Sequence, residues 1–357
     1  MMICPLCSAH YPNSYTICSN DGAKLTETGR GLRCVRDTLF VVMILAIVVA
    51  GLSFGLKPST IANRADVFDK THHYNLGGIL RNLACRRGDL QSCSDLGHMY
   101  EYGGVGVSKD ISRALMLNSK ACDGGNVDGC INLGNIYEYF QFSKVVSHDI
   151  SRAEALYIKA CGTGSARGCA NLVRRAYYYQ SPLRGDAHDY PKAASFYSTA
   201  CVTGYAEGCY GLGDMYARGY GFERDYDQAA SLFSKACEEG DAPGCFGLGE
   251  LYENGNGMSR DYSRAAAAYS KACDKGHMFS CHKLCLLYSN GNGVEQDYSR
   301  AAWLCSKSCD GGISNDCVGA GIIYEAGMGI QKDIVKAHEL FSKGCTFENK
   351  ESCDLAR

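Results

Sequence analysis

The sequence is short of proline, of tryptophan and of net charge. With six prolines and one tryptophan in 357 residues, long stretches are free to be helical, because proline breaks helix interiors. A formal net charge of −2 lacks the basic footprint of a nucleic-acid-binding chain, and no nucleic acid is expected as a partner. Catalytic signatures are missing too. H-E-x-x-H does not occur, so a zinc protease is not indicated. Neither K-T-G nor S-D-N accompanies the one S-x-x-K, Ser280–Lys283, as a serine β-lactamase requires. G-x-G recurs without G-K-[ST] or a preceding strand, which makes these glycines turn residues rather than a phosphate cradle. What the chain does have is 22 cysteines and 42 glycines. Cysteine at that density means metal sites in a reducing compartment and disulfides in an oxidising one.

Four zones follow one another. Residues 1–30 contain CPLC and ICSND and read as a small zinc-ribbon-like head. Cys4, Cys7, Cys18 and Asp21 are its expected ligands for a structural zinc, with His10 the rival for the fourth place. The run 38–56, TLFVVMILAIVVAGLSFGL, carries no charge and is long enough to cross a bilayer as one helix. Lys24, Arg30, Arg33 and Arg36 precede it, against Lys57, Arg64 and Lys70 beyond. This bias favours a cytoplasmic amino terminus in the inner membrane. A linker is expected at 57–74, followed by repetition over 75–357.

The repetition is built on cysteine pairs with seven residues between them. First members are Cys85, Cys122, Cys161, Cys201, Cys237, Cys273, Cys309 and Cys345; second members are Cys93, Cys130, Cys169, Cys209, Cys245, Cys281, Cys317 and Cys353. The period is 36 to 40 residues, the range of a solenoid. Glycine stands three residues after every first cysteine but the last, where Glu348 replaces it. Between pairs, an aspartate followed four residues later by alanine recurs from Asp110/Ala114 to Asp333/Ala337. The aspartate suits a helix N-cap, and the glycine suits a left-handed helix end. Small residues such as Gly213, Gly249, Ala229 and Ala265 are expected to let paired helices approach closely.

The motifs C-x2-LG-x2-Y-x2-G-x-G, D-[YI]-x-[KRQ]-A and K-A-C-x2-G-x4-C resemble the Sel-one-like repeat family, relatives of tetratricopeptide repeats. The cysteine-bearing form resembles the Helicobacter cysteine-rich protein family. The resemblance implies an all-α, right-handed α/α solenoid of about seven two-helix repeats stapled by disulfides. In this chain one transmembrane helix and the zinc-ribbon-like head precede it. Repeats two and three depart from the pattern, with FQFSKVVSHD and YQSPLRGDAHD in place of the G-x-G turn and Ala176 where tyrosine is usual.

Three readings of the cysteine pairs compete. Zinc favours closer spacing and no histidine recurs in phase; redox dithiols favour C-x-x-C, absent from this region. A structural disulfide across the turn between repeats is therefore expected, and it persists only in an oxidising space. The repeats are accordingly expected in the periplasm or outside the cell. Cys285 and Cys305 are left over, one on each helix of the same repeat. A ninth bridge between them is predicted, the alternative being two buried free thiols.

By the tetratricopeptide resemblance, the first helices line a concave face. His98, Tyr102, Tyr139, Arg174, Tyr177, Tyr178 and Arg218 are the candidate ligand-binding residues there, alongside positions such as Glu101 and Glu138. Tyrosine offers contact area with a polar tip. The function expected is a membrane-anchored, non-catalytic scaffold for protein, peptide or cell-envelope ligands, peptidoglycan fragments among them. The alternative, implied by the Helicobacter resemblance alone, is a β-lactam-binding or β-lactamase-like hydrolase.

Overall fold

Each recurring aspartate closes a turn at both ends. Its carboxylate accepts a hydrogen bond from the backbone N–H three residues on, from Arg113 at Asp110 through to Lys336 at Asp333. Its own N–H donates to the carbonyl of a tyrosine ending the previous helix, as in Asp225 to Tyr216 and Asp297 to Tyr288, at 3.1 and 3.0 Å. Helices therefore start at fixed points and come in pairs. The computed structural model describes residues 2–3, 10–11, 57–70, 74–103, 107–139, 147–181, 188–347 and 349–356.

The chain divides into two compact units, residues 1–92 and 93–357. In the first, strands β1 (Met2–Ile3) and β2 (His10–Tyr11) pair antiparallel. Helices α1 (Pro58–Lys70) and α2 (Tyr74–Arg86) pack through Ile61, Ala65, Leu80 and Ala84. The segment expected as a linker is thus helical over most of its length. The expected membrane run 38–56 and the metal ligands Cys4, Cys7, Cys18 and Asp21 lie outside the described residues. Among the described residues no helix is long and apolar enough to cross a membrane, and no group of three or more His, Cys, Asp or Glu could hold a metal.

Helix α3 (Leu90–Tyr102) begins seven pairs. They continue as α4 (Ile111–Asp123), α5 (Val127–Tyr139), α6 (Ile150–Gly162), α7 (Ala166–Gln180), α8 (Tyr190–Val202), α9 (Ala206–Arg218) and α10 (Tyr226–Glu238). Then follow α11 (Ala242–Asn254), α12 (Tyr262–Asp274), α13 (Met278–Asn290), α14 (Tyr298–Asp310), α15 (Ser314–Ala326), α16 (Ile334–Thr346) and a short α17 (Lys350–Leu355). Consecutive helices pack on one another, and helices one repeat apart also touch, as α7 touches α9, α9 touches α11 and α6 touches α8. This is an all-helical repeat solenoid.

Disulfides join the end of each second helix to the start of the next pair: Cys122–Cys130, Cys161–Cys169, Cys201–Cys209, Cys237–Cys245, Cys273–Cys281, Cys309–Cys317 and Cys345–Cys353. Cys85 and Cys93 are disulfide-bonded as well. The glycine inside each of these turns from Gly88 to Gly312 has φ between +82° and +99°, a region closed to most side chains. The lysine of K-A-C has its own task. Lys159, Lys235 and Lys307 donate to the carbonyls of Cys122, Cys201 and Cys273 one repeat back, at 3.1, 3.0 and 2.9 Å. Each of these carbonyls already accepts from the turn glycine's N–H, and the cation adds a second bond and opposes the negative helix end.

The pairs interlock through rings laid on glycines. Tyr157, Phe233 and Tyr269, all buried, cover Gly134, Gly213 and Gly249. A Cβ on Gly134 would lie 2.6 Å from the Tyr157 ring, and one on Gly213 2.8 Å from Phe233. The small residues therefore admit an aromatic ring rather than a bare backbone. In the sixth pair this contact is replaced by the Cys285–Cys305 disulfide.

The first pair breaks the rule. Tyr157 and Tyr269 donate their hydroxyls to Glu138 and Glu253 at 2.8 and 2.5 Å, but the corresponding residues in α4 and α3 are Asn118 and Glu101. Both are buried, and among the described residues neither side chain meets a partner at ordinary hydrogen-bond geometry. Burial pushes the Glu101 carboxyl up from 4.5 to about 6, against the opposing pull of Tyr102 and Lys109. The folded state then holds a proton that the unfolded chain releases, so the group's contribution is complete below 4.5 and lost as pH rises to about 6. The loss corresponds to about 2 kcal/mol. Glu101→Gln is expected to unfold at the parent's temperature at pH 4 and clearly above it at pH 7, as read by calorimetry.

Candidate ligand-binding face

Three tyrosines recur at one position of successive first helices: Tyr102 on α3, Tyr139 on α5 and Tyr178 on α7, exposed by 60%, 56% and 39%. The His98 ring lies 4.9 Å from Tyr102. The Arg174 guanidinium sits over Tyr139 at 5.3 Å, and Arg175 over Tyr178 at 4.4 Å. Tyr177, also exposed, meets Tyr197 edge-on at 5.5 Å. On α9 the position of the three tyrosines is held by Arg218, which is bound to Asp214 at 2.6 Å. The two glutamates expected to be exposed beside these residues, Glu101 and Glu138, are buried instead, because their position points at the ring of the second helix.

Beneath the tyrosines lies a charge network that periodicity did not reveal. Glu138 accepts two bonds from Arg174 at 2.8 and 2.7 Å and one from Tyr157. Glu154 accepts from Arg175 at 3.1 and 3.0 Å and from Tyr179 at 2.7 Å, and pairs with Lys192 at 2.6 Å. Arg175 also lies 3.6 Å from Glu138, so one guanidinium links both carboxylates. Burial by itself would raise the Glu138 carboxyl, but bonds from Arg174 and Tyr157 and the charges of both arginines hold it below its usual value. In neighbouring repeats the positions of Arg175 and Glu154 are buried and apolar, for example Met215 and Ala194.

Helix α7 is also longer, at 15 residues against 13 in its neighbours. The extra half-turn explains how Ala176 is tolerated. Tyr179 takes over the missing tyrosine's role: its carbonyl receives the Asp189 N–H and its ring receives Lys192 at 4.5 Å. Arg113 on Tyr100 and Arg152 on Tyr137 make the same contact elsewhere. The run YYY in the sequence was the available signal.

Further along, Asp214 on α9 and Glu250 on α11 occupy the position of Arg174 in their own helices, followed by Leu286 on α13 and Ile322 on α15. Both of these apolar residues are exposed, by 43% and 42%. The Ser280–Lys283 pair does not form a nucleophilic site. Ser280 is fully buried, its Oγ lies 2.8 Å from His277 Nδ1, and Lys283 pairs with Glu253 at 3.0 Å.

The family model described as Sel1 repeat matches residues 90–126, 127–162, 206–241, 242–277, 279–313 and 317–346. The matched segments leave out 163–205, the stretch that holds α7, α8 and most of the charge network. Among solved structures, a Sel1 repeat protein from Oxalobacter formigenes superposes with a TM-score of 0.67 at 21% identity, covering 87% of this chain and 90% of that one. A protective antigen of uropathogenic Escherichia coli displaying an SLR fold gives 0.58 at 24% identity, over 84% and 67%. At these identities the likeness is one of fold. The Helicobacter pylori cysteine rich protein B is 30% identical over 38% of this chain and 96% of its own, with a TM-score of 0.31. No curated protein matches.

Removing one member of a buried ion pair strands the other, at roughly 3–5 kcal/mol, whereas an apolar pair of like volume is often neutral. Arg175→Met is therefore expected to lower the unfolding midpoint in urea. Adding Glu154→Ala to it, which installs the residues found at Met215 and Ala194, is expected to recover most of the loss.

Proposed function

Because the chain belongs to the Sel1 repeat family, we propose that it is a non-catalytic scaffold that binds a protein or peptide on the exposed face of its first helices. The observation that carries this reading is the row Tyr102, Tyr139 and Tyr178, with Arg174 and Arg175 held against the last two by the buried carboxylates. Aromatic and arginine side chains already fixed in place lose little entropy on binding, the property of an interface hot spot. In this reading His98, Tyr177 and Arg218 border the contact. Peptidoglycan fragments are the non-protein ligands to be weighed against a peptide. The full chain in detergent, screened against a displayed peptide library, supplies the partners for a test. Tyr139→Ser with Tyr178→Ser should weaken selected peptides at least tenfold with the unfolding temperature unchanged; unaltered affinity would rule the face out.

The scaffold is anchored in the inner membrane through residues 38–56, with the head in the cytoplasm and the repeats in the periplasm or outside the cell. The bonded cysteines support the oxidising side, and the basic residues before the run support the orientation. In the head, β1 and β2 flank Cys4 and Cys7 and pair antiparallel, as the hairpin of a zinc knuckle would. Cys4, Cys7, Cys18 and Asp21 would hold the ion, whose contribution there is to folding. Alkaline phosphatase fused after residue 357 should be active and the same enzyme fused after residue 30 inactive; the opposite pattern would invert the topology.

A further inference from the structure

One position recurs once per repeat along the first helices, and its chemistry changes in blocks. It is polar or basic through α7, acidic at Asp214 and Glu250, and apolar at Leu286 and Ile322. Around the acidic block, Glu207, Asp214, Asp241, Glu250 and Glu253 outnumber the cations Arg218, Lys283 and Lys275, the last beside Gly240. Burial, then neighbouring carboxylates, raise Asp241 and contribute to raising Glu250. Burial and Asp214 push the Tyr210 hydroxyl up to about 12. Glu250 receives no hydrogen bond from any described residue, and Asp214 keeps Arg218 and Gln180 as partners. The next two first helices, α13 and α15, change character: Phe279, Leu286 and Ile322 are exposed by 62%, 43% and 42%. A face that is negative and then apolar is complementary to a chain that is positive and then apolar.

Resting on the proposed peptide-binding role of the first-helix face, we propose that its occupant is an extended peptide with a cationic segment followed by an apolar one. Basic side chains lie opposite Asp214 and Glu250, and large apolar side chains lie opposite Leu286 and Ile322. Packed helices are about 8–10 Å apart, and a chain extended in the polyproline II conformation rises about 3.1 Å per residue with three residues per turn. One side chain in three therefore faces each successive repeat. The recognised pattern is basic, two spacers, basic, two spacers, apolar, two spacers, apolar, in one chain direction or the other.

The probe is the fluorescein-labelled peptide Lys-Ser-Gly-Lys-Ser-Gly-Leu-Ser-Gly-Leu, with its reversed sequence and versions carrying glutamate for lysine. Anisotropy is measured on the full chain in detergent. One of the two lysine peptides should bind at least tenfold more tightly than its glutamate version, with the margin shrinking at high salt. Asp214→Asn with Glu250→Gln should abolish the margin, and Leu286→Ser with Ile322→Ser should weaken the lysine peptide while the protein's unfolding temperature stays put. Equal or tighter binding of the glutamate versions overturns the proposal, as does a margin that survives Asp214→Asn with Glu250→Gln. If no lysine peptide binds while library-selected peptides remain sensitive to Tyr139→Ser with Tyr178→Ser, the cationic–apolar order is wrong and the face stands. If selected peptides ignore the tyrosines as well, both readings fall.

Discussion

Everything in the repeat region depends on how one helix pair hands the chain to the next. At that point a left-handed glycine reverses the backbone and a disulfide bonds the residues on either side of it. Closing a nine-residue loop is worth roughly 2.5 kcal/mol in the chain-entropy account. In an array where each unit touches only its neighbours, stability is set by such interfaces. The lysine bond to the previous repeat's cysteine carbonyl acts at the same place. Covalent closure and helix capping therefore converge on the joints and leave the outward positions of the first helices free to vary.

Where the joint or its packing changes, the partner residue changes with it. Alanine on one helix usually meets glycine on the next, as Ala236 meets Gly244. In the pair before the last this becomes Ser308 and Asp316, hydrogen-bonded to each other, with Asp316 also holding His282 at 2.7 Å. In the last it is inverted to Gly344 and Ser352. The Cys285–Cys305 bridge is the same kind of exchange for ring and glycine. Asn118 and Glu101 are a case in which only half of the exchange was made, and among the described residues both are left buried without ordinary hydrogen-bond partners.

Features confined to a few adjacent residues were legible in the sequence: the aspartate caps, the glycine turns, the cysteine pairs at a separation of eight, and the two leftover cysteines in one repeat. Such features are encoded by spacing, which a linear chain displays directly. The network of Glu138, Glu154, Arg174, Arg175 and Lys192 was not legible, because its members are brought together from four helices. A helical period shows which face a residue occupies and not which neighbour covers that face. Glu101 and Glu138 looked solvent-facing for this reason. Ala176 looked like a lost tyrosine only while α7 was given its neighbours' length. The surface that results is a rigid one. Five charged groups beneath Tyr139 and Tyr178 hold their orientation, so a ligand of the kind proposed would meet aromatic faces already in place.

Each disulfide resolved pair by pair in the repeats joins residues that are close in sequence, eight apart at the joints and twenty apart within the sixth pair. If the repeats are delivered to an oxidising compartment from the amino end, as proposed, each cysteine meets its mate before the next pair has arrived. Although the 18 cysteines from Cys85 to Cys353 would allow an enormous number of wrong pairings if oxidised together, the order of synthesis would itself sort them. The same locality makes a repeat a transferable cassette: removing or duplicating one between joints leaves no thiol without its mate.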